Sequence, residues 1–85
     1  MQVIVKHKRG LHLRSAAQLA ALVAKYDANV TLAKGRKTVQ ANSPLEIVAL
    51  SASPGTKLGV TLSGKDAEAA AAALQDFFNN PEDNL

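Results

Sequence analysis

Residues 57–63 read KLGVTLS. Leu58, Val60 and Leu62 alternate with Gly59, Thr61 and Ser63, so an extended chain here is apolar on one side and polar on the other. That pattern predicts a half-buried strand, with one face on a core and one toward water. Such strands build antiparallel sheets covered on a single side. Upstream, Ser53-Pro54-Gly55 breaks the chain, and Leu45, Ile47, Val48 and Leu50 before it fit a short helix. Asn42-Ser43-Pro44 opens that helix: Ser43 can cap it, and Pro44 suits the first helical position, where an N–H has no partner to lose. Earlier still, residues 29–34 alternate with Val30 and Leu32 on one face, and residues 36–41 with Val39 and Ala41. Lys34-Gly35 between them reads as a hairpin turn.

Downstream, Ala70, Leu74, Phe77 and Phe78 give residues 65–79 an apolar stripe at helical spacing, closed by Pro81. Asp66 and Glu68 fall in its first turn, where the helix dipole favours acids. At the other end of the chain, Val3-Ile4-Val5 is a short β-branched strand. Residues 13–25 form a helix, with Leu13, Ala16, Ala17, Ala20 and Val23 on one face and Leu19 and Leu22 beside it. The order is βαββαβα. Strands with one apolar face require helices on that face, so the expected fold is α+β: an antiparallel sheet, solvated outside and covered inside by helices.

With 85 residues, the chain is expected to form one domain spanning 1–85, with PEDNL at 81–85 a flexible acidic tail. No cysteine is present, so disulfides and thiolate metal sites are excluded, in keeping with a reducing compartment. No apolar run approaches the ~20 residues of a membrane span. The apolar part of MQVIVKHKRG is too short for a signal peptide. The expected location is the cytoplasm, without membrane insertion. Net charge is +3, and it is uneven: Lys6, Lys8, Arg9 and Arg14 crowd the first quarter with His7 and His12, and no acid precedes Asp27. A basic end is either a solvated surface or a face for an anionic partner.

Chemistry concentrates in RGLHLRSAAQ, residues 9–18. His12 stands where the first long helix begins, and the unpaired N–H groups of a helix N-terminus point outward past such a side chain. A phosphoryl group on the imidazole would sit where helix N-termini hold phosphates, and Arg14 can add a charge-assisted hydrogen bond. Imidazole is an accepted nucleophile near neutral pH. The residues alone leave two readings open: a phosphohistidine site, or an exposed turn histidine with no task. No pair of carboxylates suggests glycosidase chemistry. No acid lies near His7 and His12 in sequence, so no metal site is expected. No phosphate-binding loop, nucleophile elbow or dinucleotide turn occurs, and no cofactor is expected.

The segment GLHLRSAAQLAALVAKY resembles the active-site segment of HPr, the histidine-containing phosphocarrier family of the bacterial phosphoenolpyruvate-dependent sugar phosphotransferase system. That signature runs glycine, aliphatic residue, histidine, alanine, arginine, proline, alanine, and Gly10, Leu11, His12, Arg14 and Ala16 match it. A serine opening a short helix after a hairpin also matches, at Ser43. So do the turn Gly55-Thr56-Lys57, the strand Leu58 to Ser63, and Gly64, Asp66 and Glu68 before the last helix. The likeness spans residues 2 to 80.

The resemblance implies an open-faced sandwich with strand order 1-4-2-3 and three helices on one face. It implies a monomeric carrier, not an enzyme. His12 would take a phosphoryl group on Nδ1 from phosphorylated Enzyme I and pass it to a sugar-specific EIIA. Arg14 would stabilise the phosphoryl charge, with the backbone N–H groups of Leu13 and Ser15 supporting it. Leu11, Leu13, Leu45 and Val48 would form the docking face, with Ala17 and Gln18 nearby; for Leu45 and Val48, core packing is the other reading. Basic residues around His12 suit acidic partner faces.

Three departures stand out. Ser15 replaces the family proline; it frees an N–H and adds a hydroxyl, which either loosens His12 or offers the phosphate another donor. Leu13 replaces a small residue. Ser43 matches the serine phosphorylated by HPr kinase in many Gram-positive bacteria, yet lies between Asn42 and Pro44, and a plain helix cap is fully adequate to explain it. A regulatory paralogue, in a nitrogen-related phosphorelay or beside a transcription factor, would share His12. Nucleic-acid binding is disfavoured because no expected strand carries an aromatic on which bases could stack. A small-ligand domain of ferredoxin-like topology finds no glycine-rich loop beyond Gly10.

Overall fold

A computed structural model describes residues 1–81, so Glu82 to Leu85 of the expected acidic tail lie outside the described residues. Seven elements follow the expected order: β1 (Gln2–Ile4), α1 (Leu13–Val23), β2 (Asn29–Lys34), β3 (Lys37–Gln40), α2 (Pro44–Ala49), β4 (Lys57–Ser63) and α3 (Ala67–Asn79). The strands form one sheet in the order β1-β4-β2-β3, antiparallel throughout. Cross-strand pairing aligns the inward residues: Val3 faces Leu58, and Val60 faces Leu32, which faces Val39. All five are buried, whereas Gln2, Thr38, Gln40, Lys57 and Thr61 on the other side are exposed. The three helices supply the other half of the core through Leu19, Ile47, Leu74 and Phe78. Each such side chain removed from water contributes about 1.5–3 kcal/mol.

β2 and β4 fall where alternation puts them, and Gly35 makes the β2–β3 turn at φ +61°. Other boundaries move for identifiable reasons. β1 begins one residue early, yet Val5 stays tied to the sheet margin: its N–H donates to Thr56 O (2.9 Å) and its carbonyl accepts from Gly55 N–H (2.7 Å). α1 ends at Val23, because Lys25 N–H and Tyr26 N–H bond three residues back, to Leu22 O and Val23 O, tightening the last turn. Its buried stripe is Ser15, Ala16, Leu19, Ala20 and Val23, whereas Leu13 and Ala17 lie outside. The larger Leu19 takes the core in place of Ala17. α3 starts at Ala67. Asp66 precedes it as a non-helical residue and does not cap it; its carboxylate accepts from Asp27 N–H at 2.8 Å. That bond and Asp66 N–H to Asp27 O (2.9 Å) fasten the start of α3 to the α1–β2 loop.

α2 has six residues, too few to stand alone. Ser43 Oγ accepts from Glu46 N–H at 3.4 Å at its start. At its end Lys37 Nζ donates to Ala49 O (2.6 Å), and Lys34 Nζ donates to Leu50 O (3.2 Å) and Ser51 O (3.0 Å). Two like charges paired across the hairpin thus become cations at a helix C-terminus, where the dipole favours them.

Candidate functional site

The site begins with a tight turn. Gly10 N–H donates to His7 O at 2.9 Å, and Gly10 lies at φ +71°. A Cβ there would stand 2.2 Å from Ala52 O, so only glycine lets the two backbones meet. Leu11 N–H then donates to Ala52 O at 2.9 Å, fixing the approach to α1. Leu11 is 4 % exposed and belongs to the core, which removes it from the expected docking surface.

His12 is the N-cap of α1, with extended backbone at φ −93°, ψ −175°. Its Nδ1 accepts the backbone N–H of Arg14 at 3.2 Å. An acceptor Nδ1 requires the ring proton on Nε2, so the Nδ1 lone pair points at the helix N-terminus. In return, His12 N–H donates to Ser15 Oγ at 3.1 Å, completing a reciprocal capping box. The Ser15 hydroxyl faces inward. It lies 3.2 Å from both Gly10 O and His12 O, and the residue is 2 % exposed. The hydroxyl is therefore turned to the backbone of Gly10 and His12 and not to a ligand in front of the helix. His12 itself is half-buried and Arg14 is exposed.

In the segment before His12, Lys6, Lys8 and Arg9 are exposed, and Lys6 Nζ donates to Asn79 Oδ1 at 3.3 Å. Leu13 is 61 % and Leu45 76 % exposed, on two helices that pack together; Val48 is half-buried and packs against the core, and Gln18 is half-buried. Leu13 and Leu45 are thus the large apolar side chains that α1 and α2 leave exposed. A groove of about 500 Å³ runs between α1 and α3, lined by Gln18, Leu22, Lys25, Tyr26, Asp76 and Phe77 among others, but His12 is not in its wall. The imidazole, half-buried, lies outside that groove. Among the described residues, no three histidine or acidic side chains gather in a metal-holding group, and no helix is long and apolar enough to cross a membrane.

The residue that sequence reasoning missed is His7. It is 5 % exposed, its ring 4.8 Å from that of Phe77 (tilted 34°) and 6.1 Å from that of Phe78 (edge-on, 84°). Burial, and then the charge of nearby His12, hold its pKa below the ordinary 6.5. His7 is thus a core side chain beneath the site. The signal was available: Val3, Val5 and His7 share the inward parity of an extended chain.

A family model described as the PTS HPr component phosphorylation site matches residues 1–80. Phosphocarrier protein HPr of Xylella fastidiosa (strain 9a5c) is 37% identical over 79 residues, covering 93% of this chain and 89% of the relative. Phosphocarrier protein NPr of Shewanella violacea is 37% identical over 73 residues, covering 86% of this chain and 80% of the relative. The crystal structure of HPr-C-His from Thermoanaerobacter tengcongensis superposes with a TM-score of 0.90 at 31% identity, covering 95% of this chain and 91% of that one.

Proposed function

The chain belongs to the HPr family of phosphocarrier proteins, and we propose that it carries its phosphoryl group on Nδ1 of His12, from phosphorylated Enzyme I to a sugar-specific EIIA. It is a carrier of the phosphotransferase system and not an enzyme: it turns over nothing alone. The observation that supports His12 as the carrying residue is that its Nδ1 lone pair meets the backbone N–H of Arg14 at the N-terminus of α1. In the transfer, that lone pair forms the N–P bond, the bond between phosphorus and its donor group breaks, and Nε2 keeps its proton. The incoming oxygens take over the Arg14 N–H that Nδ1 releases. They meet the positive end of the helix dipole and the exposed Arg14 guanidinium. Such charge-assisted hydrogen bonds are worth about 1.5–3 kcal/mol, against about 1 for the neutral bond given up.

Leu13 and Leu45 supply the apolar docking contact. Lys6, Lys8 and Arg9 steer an acidic partner face, and transfer proceeds in the cytoplasm. Ser43 acts as the cap of α2. Glu46, whose N–H it accepts, sits in the first turn, so a phosphoryl group on Ser43 would face a like charge. A second reading rests on the NPr relative: the acceptor is then an EIIA-like protein of a nitrogen-related relay, with the same His12 chemistry.

The experiment is phosphorus NMR of the protein with phosphoenolpyruvate and catalytic Enzyme I. An acid-labile phosphohistidine signal, absent in His12→Ala and formed more slowly in Arg14→Ala, is expected. Labelling that survives in His12→Ala would end the proposal. Offering the phosphorylated protein to sugar-type and nitrogen-type acceptors separates the two readings.

A further inference from the structure

We propose that Ser15 is the positioning residue of the phosphoryl-accepting histidine, a task that rests on the reading of His12 above. The hydroxyl is a three-way junction. It accepts His12 N–H at 3.1 Å, and its one proton goes to Gly10 O or His12 O, each 3.2 Å away. These contacts join the positive-φ turn, the backbone of the nucleophile and the first turn of α1 through one atom. The residue is 2 % exposed, so water does not compete for them.

The direction in which the imidazole leaves the chain is set by the backbone torsions of His12. The approach of Nδ1 to Arg14 N–H at 3.2 Å depends on that direction. At this position a proline would restrict the chain by its ring, with neither hydroxyl nor N–H. In this chain the restriction comes from a side-chain bridge. Ser15→Ala removes the bridge, leaves His12 N–H without it, and frees the torsions that aim Nδ1. The smaller side chain creates no clash, so the fold persists.

The test is single-turnover transfer from phosphorylated Enzyme I to wild type, Ser15→Ala and Ser15→Thr, over a range of donor concentrations, alongside a thermal melt of each. A misaimed nucleophile reacts slowly once bound. The rate constant at saturating donor should fall about tenfold in Ser15→Ala. The half-saturating concentration and the final phosphorylated fraction should be unchanged, and Ser15→Thr, which restores the hydroxyl, should recover most of the rate. A merely structural serine gives the opposite pattern: a lower melting temperature and a reduced phosphorylated fraction, with a wild-type rate constant. That pattern, or a wild-type rate in a fully folded Ser15→Ala, overturns the proposal. Failure of wild type itself to accept phosphate would instead refute the carrying role of His12. In that case hydrogen exchange of the His12 amide still decides whether Ser15 holds the loop: equal protection in wild type and Ser15→Ala would show that it does not.

Discussion

Gly10→Ala is the substitution for which the structure dictates the largest effect from the smallest change. At φ +71° an alanine bears the left-handed cost of about 1–2 kcal/mol. Its Cβ would then lie 2.2 Å from Ala52 O, 3.0 Å from Ser53 Cα and 3.1 Å from Ala52 C, all backbone that no rotamer can relieve. Ordinary contact begins near 3.4 Å, so the two segments must separate by about 1 Å. The Leu11 N–H to Ala52 O bond at 2.9 Å stretches beyond hydrogen-bonding range and adds about 1 kcal/mol. The sum is about 2–3 kcal/mol. In a domain of this size, that is a drop in melting temperature of roughly 8–24 °C. Gly35→Ala is the control, because Gly35 also has positive φ (+61°) but nothing stands within 4 Å of its would-be Cβ. It bears only the conformational cost of about 1–2 kcal/mol. Calorimetry of both variants isolates the clash, and phosphoryl acceptance should fall in Gly10→Ala alone, since its turn leads into His12. Equal melting temperatures for the two would refute the argument that the meeting of residues 10 and 52 holds the active loop.

Two further predictions follow from the burial of particular side chains. The pKa of His7 is lower in the fold than in the unfolded chain, so the unfolded state takes up its proton first as pH falls. Its contribution is fully present above about pH 6.5 and declines below that, by at most about 1.4 kcal/mol per pH unit, until the folded-state pKa is reached. Urea titrations across that window should show a steeper loss in wild type than in His7→Leu; parallel curves would contradict the depressed pKa. Leu45, 76 % exposed, should be replaceable by serine with less than about 0.5 kcal/mol change in stability. The same change should raise the half-saturating concentration of Enzyme I or of the acceptor in transfer assays, and unaltered kinetics would remove Leu45 from the docking face.

The strands were legible because alternation with period two admits one register. Once Leu58 and Val60 point inward, the sheet face is decided, and β2 and β4 lie where the pattern puts them. α1 was less determined. Its alanines and leucines surround the helix, so the stripe through Leu13 and Ala17 looked as apolar as the one through Ala16 and Leu19. Packing volume chose between them. His7 was hidden by its chemistry: a titratable side chain among basic neighbours reads as surface, although its parity with Val3 and Val5 points inward. The clamp of Lys34 and Lys37 on α2 had no signal at all in the sequence, since it joins a hairpin to carbonyls 12 to 17 residues away. The cap position of His12 and the adjacent Arg14 were readable. The inward turn of the Ser15 hydroxyl was not, because a serine in a first turn serves equally as an outward donor.

On the reading proposed for His12, capping and carrying are one property seen in two states. Without phosphate, the Nδ1 lone pair occupies the N–H of Arg14, so a donor that would otherwise be an orphan of the helix end is satisfied. With phosphate, that lone pair is spent in the N–P bond, but the oxygens it brings are stronger acceptors placed before the same donors. The Arg14 N–H has an acceptor either way. A carrier needs this balance: a site that gripped the phosphoryl group much more tightly than its partners do would accept it and keep it. The exposed guanidinium of Arg14 adds attraction without burial, and so keeps that grip weak enough to release. The backbone of His12 itself is held by Ser15 on one side and, through Gly10 and Leu11, by Ala52 on the other.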